Sequence, residues 1–71
     1  MARKVTEEST EVLLAARDDA EAERTGADRN RTRAALAGEA ADLLYHALVL
    51  LAERGLEPRS LLDVLAARRR A

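Results

Sequence analysis

The stretch TRAALAGEAADLLYHALVLLAER, residues 32–54, decides the fold of this 71-residue chain. At about 100° per residue, its leucines, alanines and Tyr45 cover well over half of a helix circumference. A surface helix of a monomer needs an apolar face only slightly wider than ~100°. The segment therefore predicts a helix that is covered from more than one side, and we expect a homodimer or larger assembly with helix 32–54 in the interface.

The composition predicts an all-α protein with a single domain, residues 1–71. The chain has no cysteine, one proline, three glycines and one aromatic residue, while 35% of its residues are charged. Below roughly 70–80 residues a single core rarely holds a fold without a disulfide, a metal or a partner chain. Because disulfides are excluded, a metal or a partner chain is the expected support.

Glycine and proline divide the chain into three predicted helices. Gly55 follows the long apolar segment where a C-terminal cap belongs, and Pro58 suits the first turn of a further helix. We expect helices at residues 2–16, 32–54 and 58–69, with a polar connection at 18–31. They would form an antiparallel helical bundle that dimerisation completes.

The charge balance argues against nucleic acid or a membrane as partner. Twelve basic and thirteen acidic residues give a formal net charge of −1, so no field of one sign attracts polyanions or anionic lipids. The strongly apolar run 43–52 is shorter than the roughly 20 residues that span a bilayer. We interpret it as a buried helix, and since the first residues lack the apolar region of a secretory signal, we expect a cytoplasmic protein.

Acidic residues recur at helical spacing in two of the predicted helices. Glu39 and Asp42 lie three residues apart on helix 32–54, and Glu8 and Glu11 repeat this spacing on the first helix. Packed antiparallel, the two helices would bring four carboxylates around one point, where a divalent cation such as Mg²⁺ would relieve their repulsion.

Simpler interpretations of these residues remain open. The stripe that continues from Glu39 and Asp42 through His46 and Glu53 also fits a solvated seam. Glu7 and Glu8 fit the first turn of a helix, where acidic groups are favourable. A histidine such as His46 is more often hydrogen-bonded in a core than bound to a metal.

Two motifs carry a resemblance to a known family. The string KVTEESTEV, residues 4–12, and the string GEAADLLYH, residues 38–46, together resemble the phosphoribosyl-ATP pyrophosphatases, which belong to the all-α nucleoside triphosphate pyrophosphohydrolase (MazG-like) superfamily. The resemblance extends from residue 4 to about residue 68, apart from the connection. It implies Mg²⁺-dependent hydrolysis of phosphoribosyl-ATP to phosphoribosyl-AMP and pyrophosphate, in histidine biosynthesis.

The resemblance also implies roles for individual residues. Lys4 precedes Glu8 by one turn and is a candidate contact for a phosphate oxygen. The connection departs from the family because it is longer and more polar than expected. Its arginines, taken by themselves, either pair with its acidic residues in a solvated loop or form a mobile flap that grips the triphosphate. The predicted metal ligands are Glu8, Glu11, Glu39 and Asp42, the predicted catalytic carboxylates are Glu7 and Glu8, and the predicted phosphate contacts are Lys4, Arg31 and Arg33.

Members of that family usually have a helix and a Ser/Thr-Tyr-Thr loop before the segment that begins here at Arg3, and we expect this chain to lack both. Two alternative functions stay open, because the acidic pattern does not specify the base and sugar and because the first helix would lack the partner that the family supplies. One is a house-cleaning nucleoside triphosphate pyrophosphohydrolase of the same superfamily, and the other is a non-catalytic helical dimerisation module.

Overall fold

Three helices make up the computed structural model, which describes residues 2–70. They are α1 (Ala2–Thr25), α2 (Asn30–Glu53) and α3 (Pro58–Arg70), and the described residues contain no strand. The all-α prediction is confirmed. Helices α1 and α2 form an antiparallel hairpin, while α3 packs only loosely against the rest.

A regular seam joins α1 to α2. Spacings of three and four residues between partly or fully buried positions are those of a coiled coil. Ala15, at 9% exposure, is the most buried apolar residue of this seam, whereas Glu8 and Glu39 occupy seam positions that a coiled coil fills with apolar side chains. The seam positions are 5, 8, 12, 15, 19 and 22 on α1, residue 29 immediately before α2, and 32, 36, 39, 43, 46 and 50 on α2.

The predicted end of the first helix at residue 16 is wrong, because α1 continues to Thr25. The predicted connection 18–31 therefore shrinks to the few residues between α1 and α2. Gly26 follows the last residue of α1 and has φ +76°, and the Ala27 N–H donates to the Ala22 carbonyl at 2.9 Å. This is the same glycine cap that the sequence predicted at Gly55, which has φ +79°.

A partly buried ion pair fixes the hairpin beside this turn. The Arg29 guanidinium donates to both carboxylate oxygens of Asp19, at 3.1 and 2.6 Å, and the Thr32 hydroxyl donates to Asp19 at 2.8 Å. These hydrogen bonds, that from Arg29 first, lower the pKa of Asp19. The predicted pairing of arginines with acidic residues thus occurs, but between packed helices rather than in a solvated loop.

The single chain is one layer of helices. Its dimensions are 44 × 32 × 15 Å and its radius of gyration is 15.1 Å, against about 11 Å for a compact chain of this length. No residue of α2 is buried, so the expectation of a buried helix is wrong for the single chain. One layer gives α2 a neighbour on one side only, and its covering by a second copy stays a prediction.

Helix α2 is long and apolar enough to cross a membrane, whereas the run 43–52 alone is too short. An 18-residue window within its 24 residues has a mean hydropathy of 1.4. The longer window reaches back past Glu39 and Asp42, which the shorter run leaves out. One such helix is weak evidence for a membrane span, because the core helix of a soluble protein can be equally long and apolar.

Candidate metal centre

Three carboxylates from the two hairpin helices converge. Glu8, Glu39 and Asp42 each offer an oxygen, and these oxygens lie within 4.8 Å of one another. Glu8 and Glu39 are half-buried because they occupy seam positions, and Asp42 is exposed beside them. The antiparallel packing of α1 and α2 therefore assembles three of the four predicted metal ligands.

The electrostatics of Glu39 reflect this crowding. Burial is the largest cause that raises its pKa, followed by the negative charges of Glu11, Glu8 and Asp42. A bound cation would favour the charged carboxylates instead. The donor set consists of carboxylate oxygens, which fits Mg²⁺.

Glu11, the fourth predicted ligand, lies next to the three-carboxylate cluster rather than in it. Its charge acts on Glu39, and both side chains line a groove of about 320 Å³ between α1 and α2. A ligand held at the cluster would therefore pass Glu11 as it enters the groove.

Glu7 points to a different set of neighbours. Its carboxylate pairs with Arg3 at 3.6 Å and with Lys4 at 3.9 Å on α1. Lys4 precedes Glu11 by seven residues, two helical turns, and so lies on the same side of α1. The catalytic role of Glu7 and the phosphate contact of Lys4 stay predictions.

The two arginines predicted to bind phosphate lie in different places. Arg31 lines the groove, whereas Arg33 is about 200° further round α2 and acts electrostatically on Asp19. The groove thus receives one of the two guanidinium groups directly. Its lining residues are Glu11, Leu14, Ala15, Asp18, Arg31, Thr32, Ala35 and Glu39.

His46 belongs to the seam and not to the metal cluster found among residues 2–70. Its Nδ1 atom is buried without a hydrogen-bond partner there. The ring meets the edge of Tyr45, with centroids 5.2 Å apart. This placement agrees with the core interpretation of His46, although the hydrogen bond that usually accompanies it is missing among those residues.

Sequence reasoning missed Asp18 as a groove residue. It follows Glu11 by seven residues and therefore lies on the same side of α1. That spacing was visible in the sequence, but a helix that ended at residue 16 could not carry the pattern to Asp18.

The comparisons with known proteins agree with this geometry. A family profile described as phosphoribosyl-ATP pyrophosphohydrolase matches residues 1–69. The chain belongs to the phosphoribosyl-ATP pyrophosphohydrolase family. The resemblance inferred from the two acidic motifs is confirmed.

Curated relatives carry the names of the phosphoribosyl-ATP pyrophosphohydrolase family. A phosphoribosyl-ATP pyrophosphatase of Pelotomaculum thermopropionicum is 49% identical over 67 residues, which are 94% of this chain and 56% of that protein. A histidine biosynthesis bifunctional protein HisIE of Bacillus subtilis is 46% identical over 66 residues, 93% of this chain and 26% of that protein. The chain thus spans about half the length, or less, of these relatives. No solved structure matches it significantly.

Proposed function

We propose that this chain hydrolyses the α–β phosphoanhydride of phosphoribosyl-ATP, in histidine biosynthesis in the cytoplasm. The products would be phosphoribosyl-AMP and pyrophosphate. The convergence of Glu8, Glu39 and Asp42 beside a groove that Glu39 also lines carries the proposal, because a nucleotide triphosphate needs its charge neutralised at the bond that breaks. Family membership and the names of the relatives support this choice of substrate.

The carboxylate cluster would hold Mg²⁺. When bound, the ion would neutralise polyphosphate oxygens and lower the pKa of a coordinated water. Glu8, half-buried in the seam, is the proposed carboxylate that accepts a proton from the attacking water. The water oxygen bonds to the α-phosphorus as the bridging P–O bond breaks, and pyrophosphate leaves with the bonding electron pair.

Cationic side chains would position the phosphates. Arg31 lines the same groove as Glu11 and Glu39, so its guanidinium is the proposed contact for a phosphate oxygen. Lys4 would contribute from the other end of the same side of α1. Arg33 remains a predicted contact, one that would require a different arrangement from that of the single chain.

A homodimer would complete the bundle. The accessible surface of the chain is 5834 Å², whereas a compact folded protein of 7.8 kDa exposes about 4,400 Å². The excess of about 1,400 Å² per chain is larger than the ~800 Å² that each partner buries in a standard interface. A second copy packed on α2 is the proposed cover, and neither nucleic acid nor a membrane is a proposed partner.

Pyrophosphate release tests the function. The purified chain should release pyrophosphate from phosphoribosyl-ATP in Mg²⁺, and Glu39→Gln should lose this activity while its helical circular dichroism persists. Asp63→Asn, which neutralises an exposed acid on α3, is the matched control and should remain active.

Two other results would favour the alternatives. Faster hydrolysis of a modified or deoxynucleoside triphosphate would indicate a house-cleaning enzyme. A folded dimer without divalent-metal binding or pyrophosphate release would indicate a dimerisation module.

A further inference from the structure

At the end of the groove away from the carboxylate cluster, two opposite charges do not form an ion pair. Asp18 of α1 and Arg31 of α2 both line the cavity of about 320 Å³. Within residues 2–70 neither Asp18 nor Arg31 forms an ion pair, and neither makes a side-chain hydrogen bond. A carboxylate and a guanidinium that line one cavity without forming an ion pair leave room for a ligand between them.

The adjacent acidic residue, Asp19, already has hydrogen-bond partners that join the two helices. Asp19 is 8% exposed and accepts hydrogen bonds from Arg29 and Thr32. Because Thr32 donates its hydroxyl proton there, that proton is not free for a ligand in the groove. The polar groups left for a ligand at this end are therefore the carboxylate of Asp18 and the guanidinium of Arg31.

The groove connects this end to the carboxylate cluster. Asp18 follows Glu8 by ten residues, or about 15 Å along α1, and Glu11 lies between them on the groove wall. A nucleotide whose phosphates lie at the cluster would extend its sugar and base along the groove. A carboxylate repels phosphate groups but accepts hydrogen bonds from two neighbouring hydroxyls.

We propose that Asp18 binds ribose hydroxyls and selects ribonucleotides over 2′-deoxyribonucleotides, with Arg31 holding an adjacent phosphate oxygen. This inference rests on the proposed function, because it concerns the same groove. It adds a specificity determinant to the predicted metal and phosphate contacts, and it assigns the selection to the sugar.

Equilibrium binding tests the inference without catalysis. Isothermal titration with ATP and with 2′-deoxy-ATP, each in Mg²⁺, should give wild-type protein that binds ATP about ten-fold more tightly, as expected when one hydrogen bond to a charged group is lost. Asp18→Asn and Asp18→Ala should bring this ratio close to one, mainly by weakening ATP. The matched control Asp63→Asn should keep the wild-type ratio.

The outcomes separate this inference from the proposed function. If the wild-type chain releases pyrophosphate from phosphoribosyl-ATP but does not prefer ATP over 2′-deoxy-ATP, or if Asp18→Ala keeps the preference, the role of Asp18 is wrong and the function stands. If the wild-type chain binds neither nucleotide and releases no pyrophosphate, both are wrong.

Discussion

Replacing Leu44 by aspartate should separate the proposed dimer into monomers. Leu44 lies on α2 and is 58% exposed in the single chain. A second copy packed on this helix would remove that surface from water, and the substitution would instead place a charge in the interface. The variant should keep its helices, because Leu44 lies outside the seam positions of α2 that pack on α1.

The exposed fraction of Leu44 sets the size of the effect. Complete burial of a leucine side chain stabilises by about 1.5–3 kcal/mol, so burying the exposed part contributes about 1–2 kcal/mol per chain. In a symmetric dimer Leu44 of each chain is buried, so this contribution to the free energy of association is doubled. A loss of about 2–4 kcal/mol corresponds to a dissociation constant raised about 30- to 700-fold, before any cost of burying the new charge.

Sedimentation equilibrium over a concentration series measures this directly. The wild-type chain should be a dimer at low micromolar concentration, and Leu44→Asp should be a monomer there. Ala27→Asp, which adds the same charge at the exposed turn between α1 and α2, should stay dimeric. A wild-type chain that is folded and monomeric at this concentration would refute the reasoning from exposed surface.

Three further predictions concern stability, each followed by thermal unfolding. Because its pKa is lowered in the folded chain, charged Asp19 stabilises the fold at pH values above its ordinary pKa of 3.8, and this stabilisation is lost as the pH falls through the folded-state pKa. Acid should therefore lower the melting temperature of wild-type protein more steeply than that of Asp19→Asn. The raised pKa of Glu39 has the opposite effect on stability: its charged form is disfavoured in the folded chain, so the metal-free chain should gain stability as the pH falls toward 4.5. Glu39→Gln should raise the metal-free melting temperature at neutral pH, and a lower value would count against repulsion in the cluster. Gly26→Ala puts a side chain at φ +76° in open space, which costs about 1 kcal/mol or about 4–8 °C; an unchanged melting temperature would argue against the glycine cap.

The sequence predicted the fold class and the carboxylate cluster because both depend on local periodicity. The apolar stripes of residues 32–54 require a helix, and acidic pairs three residues apart share one helix face wherever that helix packs. Glu8, Glu39 and Asp42 could therefore be assigned before their distances were known.

The end of α1 was predicted wrongly because a polar helix and a polar loop have similar compositions. Residues 17–25 lack large apolar side chains, yet Ala and Glu favour a helix, and the ion pair between Arg24 and Glu21 supports its last turns. The partnership of Asp19 with Arg29 could not be inferred, because it depends on how the hairpin closes. With α1 cut short, the groove residue Asp18 was lost as well.

Pyrophosphate release by Asp42→Asn tests most directly whether the converging carboxylates perform the chemistry. Asp42 is exposed and lies outside the seam, so the substitution removes a charge from the cluster without disturbing the packing. In Mg²⁺ and phosphoribosyl-ATP, the wild-type chain should release pyrophosphate, and the variant should be slower by about 100-fold or more. An Asp42→Asn variant with wild-type activity would contradict the account.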